Sequence, residues 1–326
     1  MKTASLLLLV FFTLSACQNN NASQTAPTNN SPAELAQAVS FAFKKDVNSG
    51  LDKYWYQGKA ELNRYDLQQF RYADVHPGEV VIVFVTEDFL TDKQVKNERY
   101  QSENSVPILK MNHISRFTTG LYDYSIMKSV FTPVETAKHP QTLKTTTSTQ
   151  DWCGHTFMQF NYGDGQYKST LLSYFESEAD QIKAIPYAIL EDELMNRIRM
   201  NPEGMPIGSL QMIPSASILR LLHLPAEAVQ AEASMSAYAG SDFTGEGLKM
   251  YEVQFPKLKR TLQIVFQSEA PYLIEGWTDT YPGRGDSTLK KSIAKRTHTI
   301  LEKYWQEHDL DDAPLRKAFG VEAFPF

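Results

Sequence analysis

The sequence has little of the residue types whose abundance marks a particular class of protein, such as Cys, Gly, Pro or charge of one sign. Only 2 of its 326 residues are Cys, so a disulfide-rich fold is excluded. Gly and Pro number 16 each, which excludes collagen-like and low-complexity chains. A net charge of −6 gives no bulk electrostatic case for nucleic acid, and we expect no nucleic-acid partner. The 42% of hydrophobic residues that are present predict a globular protein with a large core.

Motifs that identify common catalytic and cofactor sites are also absent from the sequence. It has no HExxH, CxxC or GxSxG motif and no phosphate-binding loop, and its 7 His residues are scattered. Gly163 and Gly165 lack the third Gly that a dinucleotide-binding turn requires. We therefore expect no metal, no nucleotide and no other cofactor, and the sequence favours a non-enzymatic function without deciding it.

The first 16 residues have the organisation of a secretory signal peptide. Lys2 supplies the positive charge, and the apolar run of residues 6–14 is too short to span a bilayer. The sequence Leu14-Ser15-Ala16-Cys17 resembles the lipobox of bacterial lipoproteins, in which the Cys thiol carries the lipid. We therefore predict a lipoprotein signal peptide over residues 1–16 and lipidation at Cys17. The alternative is an ordinary secretory signal with an incidental Cys.

Residues 17–30 follow as a segment that is unsuited to a core. The stretch after Cys17 is rich in Asn and contains no charged and no bulky apolar residue, so we predict a disordered tether. Gln18 stands where an Asp would resemble an inner-membrane retention signal, and no acidic cluster resembles a surface-export signal. We therefore expect a membrane partner through the lipid anchor, at the outer membrane and facing the periplasm.

Residues 31–326 are predicted to form a β-rich globular domain. Alternating or β-branched apolar residues predict strands at 80–85, 156–162, 167–175, 251–255, 262–266 and 272–278. Short turns between consecutive strands are typical of antiparallel sheets. We predict a mainly β fold (α+β) with antiparallel sheets or an open barrel, similar to lipocalin-like and lipoprotein-carrier folds.

Apolar residues at helical spacing predict three helices in this domain. The first begins at Ser31, which is placed as an N-cap, and runs to about residue 43. A mid-chain helix is predicted over residues 187–200, where Asn201-Pro202 should end it. A C-terminal helix is predicted over residues 287–307. Either the mid-chain helix divides two β-rich halves near residue 200, or a single continuous sheet spans both.

The first candidate functional site is the sequence Asp151-Trp152-Cys153-Gly154-His155. Cys153 and His155 could act as a thiolate nucleophile and its base, or as half of a metal site. On a strand the two side chains share a face about 7 Å apart, which is long for a hydrogen bond. Cys is also among the most buried residue types, so we expect a buried thiol that reacts slowly. Trp152, Cys153 and His155 are kept as candidate functional residues.

The second candidate site is the acidic cluster of Glu176, Glu178 and Asp180. Carboxylates at a spacing of two could bind a divalent cation, but the EF-hand pattern and its Gly are absent. A solvated loop between a hairpin and the mid-chain helix is the favoured interpretation. The aromatic stretches 54–56 and 122–124 either belong to the core, which is favoured, or line a cavity for lipid or glycan.

Four segments carry a resemblance to a known family: Tyr54–Phe89, Asp151–Asn161, Ser173–Gln181 and Leu190–Ser215. They are similar to an uncharacterised family of bacterial lipoproteins whose members often carry the name septum formation inhibitor Maf. True Maf proteins are cytoplasmic nucleotide pyrophosphatases with a Ser-Pro-Arg-Arg-type motif. In this chain Ser31-Pro32 is followed by Ala and Glu, so that motif is absent. The resemblance implies an envelope lipoprotein and carries over no catalytic residue.

These observations predict a lipid-anchored envelope protein that binds an apolar or amphipathic ligand or assists envelope assembly. The prediction rests on architectural analogy. One alternative is an envelope enzyme that uses Cys153 and His155. Another is a structural interaction protein without a small ligand. An open apolar cavity would favour the first function, a close Cys153–His155 pair in a polar cleft the second, and a filled core with an exposed apolar patch the third. The sequence identifies no protein partner.

Overall fold

The structure is a computed structural model that describes residue 51 and residues 53–100, 102–283 and 287–321. All of these residues belong to one compact unit, residues 31–326. The predicted signal peptide, the lipidation site Cys17, the tether and the helix predicted from Ser31 lie outside the described residues. Within the described part of the chain, no helix has both the length and the apolar character that crossing a membrane requires.

The described residues form one sheet of 16 strands, which confirms the mainly β fold. The strands are β1 (Ala60–Arg71), β2 (Asp74–Leu90), β3 (Val95–Lys96), β4 (Ser105–Thr119), β5 (Tyr122–Pro133), β6 (Lys144–Asp151), β7 (Gly154–Gly163), β8 (Gln166–Ser173), β9 (Gln181–Pro186), β10 (Ile189–Leu190), β11 (Gly208–Ile213), β12 (Val229–Ala237), β13 (Leu248–Phe255), β14 (Arg260–Gln267), β15 (Ile274–Pro282) and β16 (Leu289–Glu302).

The sheet is open, and its strand order begins and ends with strands that are consecutive in the chain. It runs from β10 through β16 to β1 and β2, then through β4 to β9, and β3 pairs with β2 outside this path. Strands β1 and β16 pair antiparallel, so residues on both sides of residue 200 share one sheet. All neighbouring strands are antiparallel except β10 and β11, which pair parallel.

The hairpins predicted from alternating residues are present. Strands β7 and β8 are joined by Asp164-Gly165, where both residues have positive φ angles of 51° and 73°. Two such residues form the turn whose twist matches that of antiparallel strands. Strands β13, β14 and β15 form the second predicted group, with a 3₁₀ turn at Pro256–Leu258 between the first two.

The predicted C-terminal helix is wrong, because most of residues 287–307 form strand β16. Its inward-facing residues Ser292 and Ala294 are small, while Ile293 packs against an apolar cluster on the other face. Apolar contacts on both faces remove the simple alternation by which a strand is recognised. The mid-chain helix is real but shorter than predicted: β10 and a 3₁₀ turn at Glu191–Glu193 precede it, and it ends before Asn201 as expected.

Three short α-helices occur among the described residues: α1 (Leu194–Met200), α2 (Ala216–Leu222) and α3 (Ala313–Ala318). Leu194 and Ile198 of α1 belong to one apolar cluster with Trp55, Ile82 and Tyr251. The cluster collects side chains from distant strands of the sheet, so the sheet curves around α1. The 3₁₀ turns not yet mentioned are Lys53–Tyr56, Pro202–Gly204, Tyr304–Gln306 and Leu310–Asp312.

Buried ion pairs fix the helices against the inner face of the sheet. The pairs that join the helical segment to strands are Arg199–Glu61, Lys128–Asp192 and Arg260–Glu191. Arg197–Glu193 lies within the helical segment, and Arg260–Asp279 joins two strands. Glu191 and Asp192 also accept the backbone N–H groups of Ser215 and Ala216, at the start of α2. Buried charges tolerate little displacement, because a carboxylate that loses its partner stays desolvated. The inner face is therefore filled with rigid, partly ionic packing.

Candidate functional site

A cleft of about 440 Å³ opens at one end of the sheet. Several strand connections lie at this end, because antiparallel neighbours reverse direction at each turn. They include residues 72–73, 120–121, 152–153 and 174–180. We call this end the hairpin rim and the cleft the rim cleft. The cleft lies between β1, the end of α2 and the connection after β8.

The cleft has an apolar part and a polar part. The apolar residues are Phe70, Phe175, Leu221, Leu222 and Tyr281. The polar residues are Arg71, Tyr72, Tyr124, Asp151, Cys153, Arg220 and His223. A concave site of this size, largely apolar and with a few convergent polar groups, is typical of small-molecule binding.

Arg71 lies at the end of β1 and holds three elements together. Its Nε and Nη2 atoms donate to the hydroxyl of Tyr124 on β5, at 3.3 and 3.1 Å, and Nη1 donates to the carbonyl of Leu221 in α2. The guanidinium also lies 4.3 Å from the ring centre of Tyr72. Only 8% of Arg71 is exposed, so its charge is largely desolvated and depends on these contacts.

Three tyrosine hydroxyls meet beside Arg71. The hydroxyl of Tyr72 lies 2.5 Å from that of Tyr122 and 2.8 Å from that of Tyr124. Burial alone would raise the pKa of Tyr72, but the hydrogen bonds from the other two hydroxyls and the charge of Arg71 lower it on balance. Tyr72 adopts a positive φ of 57° in the β1–β2 turn, which places it over the guanidinium. The hydroxyls and the guanidinium form a cluster of hydrogen-bond donors.

A chain of polar contacts forms the opposite side of the cleft. Arg220 donates from Nη2 to Asp151 at 3.4 Å and from Nη1 to Nε2 of His223 at 3.2 Å. The Nδ1 atom of His223 lies 2.5 Å from a carboxylate oxygen of Glu178, so that nitrogen carries the proton. The guanidinium of Arg220 lies 4.3 Å from the ring centre of Phe175. Within the described residues, the buried Nε–H of Arg220 has no acceptor.

The structure separates the residues of the first predicted site. Trp152 and Cys153 form the β6–β7 turn, and the expectation of a buried thiol is wrong, because Cys153 is exposed in this turn and lines the cleft. Trp152 is 68% exposed. His155 lies exposed on β7 and is not among the residues that line the cleft. The histidine that shares the cleft with Cys153 is His223.

The acidic cluster is also divided among different contacts. Glu178 binds His223 and accepts the hydroxyl of Ser173 at 2.5 Å. Asp180 accepts the backbone N–H of Ser173 at 3.1 Å, and Glu176 is exposed. Among the residues that the structure describes, no three His, Cys, Asp or Glu side chains are grouped to hold a metal ion. The cluster therefore shapes the loop and orients His223.

Two other cavities differ from the rim cleft. One, of about 100 Å³, lies inside the sheet and is lined by charged residues that include Lys128, Asp192 and Arg260. This volume holds a few water molecules and has no room for an acyl chain. The second, of about 340 Å³, lies under the C-terminal segment and is lined by Val83 of β2 and Leu315 of α3, among others.

No protein-family model matches the chain, and no curated protein matches it. Among solved structures it is similar to a beta-barrel-like protein of domain of unknown function DUF1849 from Brucella abortus, with a TM-score of 0.37 and 9% sequence identity. The match covers 75% of this chain and 98% of that chain.

Sequence reasoning identified Cys153, Glu178 and Tyr124 individually but missed the residues that join them. Arg71 and Arg220 are separated by 149 positions in the chain and meet only through the fold. One available signal was the Arg71-Tyr72 pair where β1 ends, since binding residues are often carried by the connections of a rigid scaffold. For His223, at the end of a short helix, the sequence contains no signal that we recognise.

Proposed function

We propose that the rim cleft binds an amphipathic ligand in the cell envelope, and that a lipid on Cys17 holds the protein at the outer membrane, facing the periplasm. The observation that carries the binding proposal is the cleft itself, because its apolar residues adjoin a cluster of hydrogen-bond donors. This combination suits a molecule with an apolar body and a polar head. A role in envelope assembly would follow if that molecule is an envelope lipid.

The inner face of the sheet offers less support for a ligand. Helix α1 and the buried ion pairs occupy it, and the remaining cavity is small and charged. An acyl chain there would leave buried charges without partners, which is costly. The proposal therefore places the ligand at the rim and not inside the sheet.

An enzyme that uses Cys153 is the second candidate, and one observation favours it. Cys153 lines the same cleft as His223, whose ring Glu178 orients. Catalysis would require Nε2 of His223 to accept the thiol proton. That nitrogen already accepts a hydrogen bond from Arg220, so binding is the better-supported function.

The binding proposal is tested with the mature chain carrying Cys17→Ser. Titration with a fluorescent fatty acid should saturate at one site. Attaching a bulky maleimide to Cys153 should then weaken binding by about tenfold or more, because the label fills the cleft. The matched control carries Cys153→Ser and Leu310→Cys with the same label, since Leu310 is 93% exposed on the C-terminal segment.

Two results would contradict the binding proposal. One is a wild-type chain that unfolds cooperatively yet binds no probe, and the other is equal binding before and after labelling of Cys153. A cooperative unfolding transition is required in each sample, because a molten surface also binds apolar dyes.

The anchoring proposal has its own test. Wild-type cells should retain the protein in outer-membrane fractions, and Cys17→Ser should release it or leave it unprocessed. Buried acyl chains contribute about 0.8 kcal/mol per CH₂, so a lipidated protein resists extraction by salt. Mature wild-type protein that is soluble and unacylated would refute this proposal.

A further inference from the structure

Arg71 differs from the other buried arginines in its partners. The other four, Arg197, Arg199, Arg220 and Arg260, each contact at least one carboxylate. Within the described residues, the guanidinium of Arg71 contacts the hydroxyls of Tyr124 and Tyr72, the carbonyl of Leu221 and the rings of the two tyrosines, and none of these is a carboxylate. A desolvated guanidinium without a counter-charge is costly, and an anion placed beside it would remove that cost.

Arg220, in the same cleft, provides a second and independent observation. The side chain of Arg220 is 5% exposed, and its Nε–H has no acceptor among the described residues. Its Nη atoms are committed to Asp151 and His223. A ligand oxygen would satisfy this remaining donor, since buried donors are nearly always paired in folded proteins.

Among the described residues, the two carboxylates nearest the cleft contact other groups than Arg71. Asp151 pairs with Arg220, and Glu178 accepts the hydrogen bond from Nδ1 of His223. Lys290 adds a further positive charge near the rim, where its Nζ donates to the carbonyl of Ala73 and lies 5.6 Å from the ring centre of Phe70.

We infer that the rim cleft selects an anionic amphiphile, whose carboxylate or phosphate head pairs with Arg71 and accepts the Nε–H of Arg220. The inference rests on the proposed binding function and specifies the ligand class. Carboxylates and phosphates suit this role because a guanidinium can donate to them in parallel pairs. The hydroxyl of Tyr72, which lines the cleft, can donate to the same head, and the acyl chain lies along the apolar part of the cleft.

The test compares ligands that share one chain and differ in the head. Dodecanoic acid, dodecyl phosphate, dodecanol and dodecylamine each compete with a bound fluorescent fatty acid on the mature Cys17→Ser chain. The acid and the phosphate should bind about tenfold or more tightly than the alcohol, and the amine most weakly. Raising the ionic strength should narrow this difference. Acetate and inorganic phosphate are included as free anions and should compete far more weakly than their acyl counterparts.

Variants of Arg71 then test whether this residue causes the preference for an anionic head over a neutral one. Arg71→Gln should bring the ratio of acid to alcohol affinity close to one, and Arg71→Lys should retain part of it, because Lys keeps the charge without the paired donors. The control for net charge is Lys183→Gln on the exposed face of β9, which should keep the wild-type ratio. Each variant must unfold cooperatively before its ratio is compared.

The outcomes separate this inference from the binding proposal. Equal affinities for the acid and the alcohol in the wild type would overturn the inference and leave the binding proposal standing. Competition by no member of the series would overturn both. Inorganic phosphate that binds as tightly as dodecyl phosphate would overturn the amphiphile class. An unchanged ratio in Arg71→Gln would overturn the role of Arg71.

Discussion

Arg199 and Glu61 form a fully buried ion pair that joins helix α1 to strand β1. The Nη2 atom of Arg199 lies 2.6 Å from one oxygen of Glu61, and Nη1 contacts the other oxygen. Both side chains are fully inaccessible to solvent. Burial would raise the pKa of Glu61, but Arg199, together with hydrogen bonds from Tyr54 and Asn63, keeps it below its usual value. The pair thus fixes the helix that occupies the inner face.

The first prediction concerns this pair. Glu61→Gln should lower the free energy of unfolding by about 3–5 kcal/mol, because it leaves the charge of Arg199 buried without a partner. The control is Glu203→Gln, which removes the exposed partner of Lys249 and should cost about 1 kcal/mol or less. Urea denaturation measures both, and equal losses would show that α1 is not held in this way.

The second prediction concerns pH. Burial lowers the pKa of His113 well below its usual 6.5, and the charge of Lys128 lowers it further. The folded state therefore stays neutral at His113 while the unfolded chain takes up a proton. The contribution of neutral, buried His113 to the free energy of unfolding is therefore present in full above about pH 6.5. It is lost as the pH falls below that value.

His113→Gln isolates this effect from the titration of the carboxylates. Relative to the variant, wild-type stability should fall by up to about 1.4 kcal/mol for each pH unit below 6.5. Denaturation of both proteins across this range provides the comparison. Parallel curves for the two proteins would mean that His113 is not buried in its neutral form.

The third prediction distinguishes strand β16 from the helix that the sequence suggests. Ala294 is fully buried and pairs with Leu67 on one side and Trp277 on the other. Ala294→Glu should cost about 3 kcal/mol or more, because it buries a charge without a partner. Lys295→Glu, at the next and exposed position, should change stability by about 0.5 kcal/mol or less. Similar losses at both positions would contradict the strand.

The error in residues 287–307 shows what periodicity misses. Leu, Ile and Tyr recur there at helical spacing, yet the strand places Ser292 and Ala294 inward and Ile293 against a second apolar cluster. The hairpins around Asp164-Gly165 were predictable because both the alternation and the turn chemistry are local. Pairs such as Glu61 and Arg199 were not, since 138 positions separate them.

The candidate site was partly predictable for the same reason. Cys153 and the acidic cluster stand out as residue types, but their roles depend on Arg220 and His223 from a different part of the chain. Glu191 likewise pairs with Arg260, which lies 69 positions further along the chain. The sheet topology brings the turns that contain Tyr72, Cys153 and Phe175 to one rim, and this assembles the cleft.

The fourth prediction concerns the thiol of Cys153. Because the side chain is exposed in a turn, a small maleimide should label it in the native protein within about tenfold of the rate in the unfolded chain. Dodecanoic acid should slow the native reaction, since Cys153 lines the cleft. Mass spectrometry follows the labelling over time. A thiol that reacts only after unfolding would mean that the β6–β7 turn is closed in solution.

The most direct test of the rim site is a crystal structure of the mature Cys17→Ser chain grown with dodecanoic acid. The acyl chain should lie against Phe70 and Leu221, with the carboxylate within hydrogen-bonding distance of Arg71. Two results would contradict the rim site, both with an empty rim cleft. One is density for the ligand inside the sheet beside Arg260, and the other is density in the cavity lined by α3.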